Sequence, residues 1–278
     1  MIVLGIAITY LFAGSYLRDG IISVLIFVVP LWIWRIRQDQ SGTHTASLVA
    51  QLHAANAALA ERSHKISAMY EELIVALSSA SDLRDPYVHG HALQVVRYAV
   101  LIAEELGLSP ERIQQLQHAG LLHDIGKIGI PETILFKPAK LTHAESVLMK
   151  QHAVWGAALV QKMHSLQHLA PLIRYHHEHY NGQGYPARLA GEAIPLEARI
   201  LSVADAVEVM ASDRPYRKAL SPPAILGELQ KHAGAQFDPV VVAAFMKVVQ
   251  AQGDTFMVNS ATAILQIIES GTAFLPME

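Results

Sequence analysis

At 278 residues with a formal net charge of −3, the chain has room for one domain plus accessory segments and lacks the basic footprint that binding long nucleic acid requires. It contains no cysteine, which excludes a disulfide framework and any thiolate metal site and is compatible with the reducing cytoplasm. Fifteen histidines against nine tyrosines turn attention to imidazole chemistry.

In chain order, residues 1–37 come first. Met1–Leu17 is a continuous apolar run, Arg18-Asp19-Gly20 interrupts it, and Ile21–Trp34 is a second run. A bilayer crossing takes about 20 apolar residues, so one span or a hairpin of two short tilted spans both fit. Arg35 and Arg37 follow directly, and the positive-inside rule places them on the cytoplasmic side, with Trp32 and Trp34 at the interface. A cleavable signal peptide would carry a basic start, which is missing here, and a buried core helix would be apolar on one face only. The expectation is a membrane anchor with the rest of the chain cytoplasmic.

Residues 38–80 turn polar, alanine-rich and helix-favouring. Leu52, Leu59, Ile66 and Leu73 recur every seventh position, with Leu48, Ala55, Met69 and Ala76 alongside and Arg62 breaking that second line. Heptads over 48–77 predict a coiled coil and a homodimer; the competing reading is one long helix packed on its own domain.

From 81 to 251 the chain reads as helices with no alternating strand pattern, so the fold class is all-α. Asp85-Pro86 marks a helix start. An amphipathic helix begins at His91, and another covers Pro110–Ile125. A loop runs from Gly126 to Thr142, and further helices are expected over 143–163, 166–179, 196–211, 221–232 and 238–251. The tail, 252–278, has an amphipathic stretch near Ala261–Ile268 and no readable role.

Chemistry concentrates in a spaced series: His91, His123-Asp124, His152, His176-His177 and Asp205. Imidazoles and carboxylates suit iron, manganese or zinc, and groups spaced on successive helices can converge in one bundle. On a helix, His123 and Asp124 would approach a metal pair from one rim, the carboxylate bridging. Lys127, three residues after Asp124, would share that face and suit a phosphate oxygen, the alternative being a solvated lysine. Asp205 lies in an apolar helix where an unpaired carboxylate is costly; a metal removes the cost, and so does a salt bridge. His44, His53, His64, His164, His168 and His232 fall outside the series and are read as solvated.

With Asp85-Pro86-Tyr87, Gly90-His91, His-Asp-Ile-Gly-Lys at 123–127, His152, His176-His177-Glu178, Gly184-Tyr185-Pro186, Val-Ala-Asp-Ala at 203–206 and Ser-Asp-Arg-Pro-Tyr-Arg at 212–217, the chain resembles the HD-GYP family over about 81–240. These are HD-superfamily phosphodiesterases of the bacterial messenger cyclic di-GMP. The resemblance implies a helical domain holding two or three ions, usually iron or manganese. Carried over, one ion takes His91, His123, Asp124 and Asp205; a second shares Asp124 and takes His152, His176 and His177. Tyr87 stands where three-metal members have a glutamate, so two ions are expected.

By the same resemblance Lys127, Arg214 and Arg217 contact the phosphates and Tyr185 shapes the guanine-facing pocket. The planar fork of arginine suits phosphate independently, while pairing with Asp213 or a nearby glutamate is the plainer reading of those two arginines. The expected reaction is attack by metal-activated hydroxide, opening cyclic di-GMP to linear pGpG and then GMP. Alternatives are another cyclic dinucleotide or nucleotide as substrate, or a non-catalytic cyclic di-GMP receptor.

Overall fold

The computed structural model describes residues 28–82, 90–213 and 218–253. They fall into two compact units, Met1–Ala68 and Met69–Glu278, with the boundary inside one helix, α1 (Val29–Asp82). That helix starts earlier than the expected linker and takes in the end of the second apolar run. The rest of the expected membrane segment, 1–27, lies outside the described residues; no helix among the described residues is long and apolar enough to cross a membrane. Within the first unit Leu48, Leu52, Leu59 and Ile66 are all exposed.

The second unit holds the core. Its helices are α2 (His91–Glu105), α3 (Pro110–Leu122), α4 (Glu132–Leu135), α5 (His143–Met149), α6 (Gln151–Gln161), α7 (Ala170–Tyr175), α8 (Leu196–Ala211), α9 (Pro222–His232) and α10 (Pro239–Gln252). Among the described residues there is no strand, only isolated bridges at Asn181–Ala190 and Ala233–Phe237, and the second unit is all-α. Helix α2 is the hub: α3, α8 and α10 pack around it, while α6 packs on α7 and on the 3-10 turn Ile125–Gly129. Apolar residues at helical spacing make this possible. Val95, Tyr98, Ile102, Leu116, Leu122, Ile173, Leu201, Val207 and Phe245 are buried together, Tyr98 meeting Phe245 edge-on at 6.1 Å.

Local signals set the boundaries. Pro110, Pro222 and Pro239 each stand in the first turn of a helix, where no N–H partner is needed. Asp238 caps α10 by accepting from Val240 N at 2.8 Å, and Thr142 with Glu145 forms a capping box on α5. Packing begins before the domain start expected at 81. Ile74 is fully buried, with Tyr70, Val75 and Leu77 against the same core, so the last turns of α1 belong to the second unit.

Three expected helices differ. The helix expected to reach Ile125 stops at Leu122, and His123 and Asp124 form a turn before the 3-10 segment. The one expected over 143–163 breaks at Lys150, and the one expected over 166–179 shrinks to a 3-10 turn plus Ala170–Tyr175, leaving His176-His177 beyond its end. The loop after Gly126 contains the short helix α4. The physical reason emerges at the site.

Candidate metal centre

Helix ends carry three of the candidate imidazoles. The last carbonyls of a helix have no intrahelical donor. His123, just past α3, donates from Nδ1 to Gly120 O at 2.6 Å; His176, just past α7, donates to Ile173 O at 2.6 Å; His152, at the break between α5 and α6, donates to Met149 O at 2.8 Å. Carbonyl oxygens only accept, so each Nδ1 carries a proton and Nε2 is the ring atom turned inward. Continuing the helices through these residues would have consumed those carbonyls. His123 and Asp124 therefore reach the site from a turn, correcting the expectation of neighbouring positions on one helix.

All seven spaced residues converge. The ligand atoms of His152, His176 and His177 lie within 4.8 Å of one another, as do those of His91, His123 and Asp205, and those of His123, Asp124 and His176. Asp124 lies between the sets: Oδ2 is 3.7 Å from His91 Nε2 and 3.4 Å from His123 Nε2, and Oδ1 is 3.5 Å from His152 Nε2. Asp205 Oδ1 is 3.4 Å from His91 Nε2. Lys127 Nζ donates to Asp124 Oδ2 at 2.6 Å, through the 3-10 turn.

The electrostatics sort the imidazoles. Burial lowers the pKa of His152, of His176 and of His177, the last to about 3 with neighbouring imidazoles opposing protonation. For His91 burial also opposes the charge, but the Glu208 hydrogen bond and the charges of Glu208, Asp205 and Asp124 outweigh it and raise the pKa. Burial works against ionised Asp124 too, and is overcome by Lys127, His123, His152 and His91, holding the carboxyl well below its ordinary range.

A metal fits this set. His152 Nε2 and His176 Nε2 are buried and make no hydrogen bond, a costly state for polar atoms unless a cation sits against them. The donors are nitrogen and oxygen only, suiting iron, manganese or zinc.

Glycines let the pieces close. A Cβ on Gly126 would lie 1.9 Å from His152 O and 2.5 Å from Gly156 N, so the 3-10 turn presses directly on the α6 backbone. A Cβ on Gly184 would lie 2.2 Å from His179 N. That tuck, with Ala187 N donating to Glu178 Oε1 at 2.6 Å, folds the Gly-Tyr-Pro segment onto the histidine pair. The Tyr185 ring stacks on His177 at 4.9 Å, with Lys150 Nζ 5.0 Å from its centroid. Burial, reinforced by the charges of Asp124 and Asp205, raises the phenol pKa and keeps it protonated.

Two carboxylates escaped the sequence reading. Glu208 accepts from His91 Nδ1 and from Ser212 Oγ at 2.6 Å; the signal was its place three residues after Asp205 on one face of α8. Glu178 was noted only as part of a motif, yet it is buried and holds the Gly-Tyr-Pro segment. Arg214, Arg217 and Tyr87 lie outside the described residues. His44, His53, His64, His164 and His168 are exposed, and His232 is half-buried beside Glu228.

A helical domain with a His-Asp turn at a cluster of imidazoles and carboxylates defines the class. Residues 52–241 match the family model described as HD domain, and the chain belongs to that family. It is 41% identical over 178 residues to the cyclic di-GMP phosphodiesterase response regulator of Xanthomonas campestris, covering 63% of this chain and 47% of the relative. It is 34% identical over 189 residues to the 3′3′-cGAMP-specific phosphodiesterase 3 of Vibrio cholerae, covering 68% and 41%. The HD-GYP resemblance is thereby borne out. The chain spans less than half the length of these two relatives. A crystal structure of a cyclic GMP-AMP-specific phosphodiesterase from V. cholerae aligns with a TM-score of 0.55 at 24% identity, covering 74% of this chain and 55% of that one, which speaks for the fold.

Proposed function

We propose that this chain is a metal-dependent phosphodiesterase that hydrolyses cyclic di-GMP to linear pGpG and, more slowly, GMP. The observation that carries this reading is the convergence of six histidine and aspartate side chains with Asp124, with Tyr185 stacked on His177 at the same place. His91, His123, Asp124 and Asp205 would hold one divalent ion, and Asp124, His152, His176 and His177 a second, iron or manganese. When bound, such a pair supplies Lewis acidity and water deprotonated near neutral pH.

The chain's own groups do the rest. Lys127 places a cation beside Asp124, where it would offset charge gathering on the non-bridging phosphate oxygens. Arg214 and Arg217 would grip the phosphates bidentately, and Tyr185 would border the guanine. The sharing of Asp124 makes it the decisive residue. Elemental analysis of anaerobically purified protein, paired with a cyclic di-GMP assay, tests the reading: Asp124→Ala should abolish turnover, and turnover at the parent rate would refute the assignment.

The relative named as 3′3′-cGAMP-specific favours a second reading, a hybrid dinucleotide substrate. Competition between the two dinucleotides in one assay separates them, and tight binding without hydrolysis by metal-loaded protein would make the chain a receptor instead. We further propose that the two apolar runs within 1–37 anchor the chain in the bacterial inner membrane, catalytic domain in the cytoplasm, and that the exposed apolar positions of α1 pair two copies. Light scattering of the detergent-solubilised chain should give a dimer; a monomer would overturn the pairing.

A further inference from the structure

The last turns of α1 grip the element that carries the His-Asp turn. Glu71 accepts from His118 Nε2, with both carboxylate oxygens at 2.9 Å, and His118 is only 5% exposed. The Tyr70 ring meets His118 edge-on at 5.5 Å, and its hydroxyl donates to Ser165 O at 3.3 Å. Ten residues beyond Glu71, the hydroxyl of Ser81, 8% exposed, donates to the main-chain carbonyl of Asp124 at 3.3 Å. Ile74 and Ser78, between the two anchor points, are buried. The proposed chemistry uses none of these groups.

Their placement matters because Asp124 has left the helix. With φ −98° and ψ 2°, and α3 ended at Leu122, Asp124 lies outside the α-helix and caps the 3-10 turn. Its carbonyl instead receives two donors, Lys127 N at 2.9 Å and the Ser81 hydroxyl. Two donors on one oxygen fix the plane of the peptide and hence the direction in which the carboxylate leaves the backbone. A buried hydroxyl needs a partner, and Ser81 has found it on the residue at the centre of the site.

We propose that Ser81 is a positioning residue for Asp124, so that the placement of the central carboxylate depends on the end of α1. The Glu71–His118 pair sets the helix on α3, and Ser81 converts that seating into the orientation of one peptide. Axial or rotational displacement of α1 would thus be felt at the metal centre through a single hydroxyl. This rests on the reading of Asp124 as the shared metal ligand.

The test titrates Mn²⁺ into the chelator-treated full chain by calorimetry. Ser81→Ala should weaken Mn²⁺ binding about tenfold, the low end of what losing support behind a ligand costs, and Ser81→Thr should restore most of it. Ile74→Val loosens the same turns without touching Asp124 and should lower Tm while leaving Mn²⁺ affinity unchanged. Ser81→Ala with parent affinity, or Ile74→Val weakening Mn²⁺ as much as Ser81→Ala does, would overturn the proposal. A parent that binds Mn²⁺ but does not hydrolyse cyclic di-GMP would sink the substrate assignment alone; a parent that binds no Mn²⁺ would sink both.

Discussion

Glu208 and His91, 117 positions apart in the chain, share one hydrogen bond that turns the imidazole's Nε2 toward Asp205 and His123. Helix α8 therefore contributes twice to the site, with Asp205 at its edge and Glu208 one turn behind. Removing such an outer partner typically weakens metal binding by about 10–100-fold. Glu208→Ala should do so, and Glu208→Gln, which retains an acceptor but not the charge, should fall between. Mn²⁺ titration of both variants reads this; parent affinity in Glu208→Ala would show that the packing of His91 alone orients it.

Gly126 and Gly227 should respond oppositely to the same methyl group. At 126 the methyl meets main-chain atoms of α6 that cannot move aside, so Gly126→Ala should lose about 3 kcal/mol of stability. Gly227, inside α9, has open space around its Cβ position, and Gly227→Ala should gain about 0.5–1 kcal/mol. Denaturant midpoints at matched slopes decide it, and a tolerated Gly126→Ala would mean that the turn does not press on α6 as described.

Acid should destabilise the metal-free protein through its buried imidazoles. The folded-state pKa values of His152, His176 and His177 are depressed, so their contribution is present above the unfolded value near 6.5 and is lost as pH falls below it, for His177 down to about 3. His91, shifted upward, is protonated in both states below 6.5 and adds no slope there. At pH 5.5 His177 alone should withdraw about 1 kcal/mol. Unfolding of chelated protein at pH 7 and pH 5.5 measures this, and equal stability would contradict it. Bound metal should protect, because ions and protons compete for the same nitrogens.

Lys127→Ala leaves every metal-facing nitrogen and oxygen in place but removes the cation beside Asp124. Turnover should fall by about 100-fold with Mn²⁺ stoichiometry intact. Loss of metal together with activity would instead make Lys127 a support for the carboxylate.

Much of this was legible in the sequence, and the failures share a cause. The 196–211 helix and the proline-led helices were readable because apolar periodicity and first-turn prolines are local signals. The seven converging residues stood out as a spaced series of histidines and aspartates, and the family resemblance singled out the same positions. What periodicity could not see was where a helix gives way to a side chain. Leu122, Lys150 and Tyr175 end or interrupt helices whose apolar pattern runs on, because the next histidine takes the carbonyl that another turn would have bonded. Glu71 and Ser81 were invisible for another reason, and Glu208 was marked only by its spacing from Asp205: each acts on a partner dozens of positions away, and a glutamate or serine on a helix looks alike whether it faces water or a distant partner.

The three Nδ1–carbonyl bonds also bear on how such a centre can change over time. Gly120, Met149 and Ile173 brace His123, His152 and His176 with atoms that every amino acid possesses. Mutation at a bracing position cannot delete the brace itself; only shifting a helix terminus can. The metal-facing geometry is thereby insulated from much of the side-chain drift around it, and most exposed where chain length or backbone path is altered.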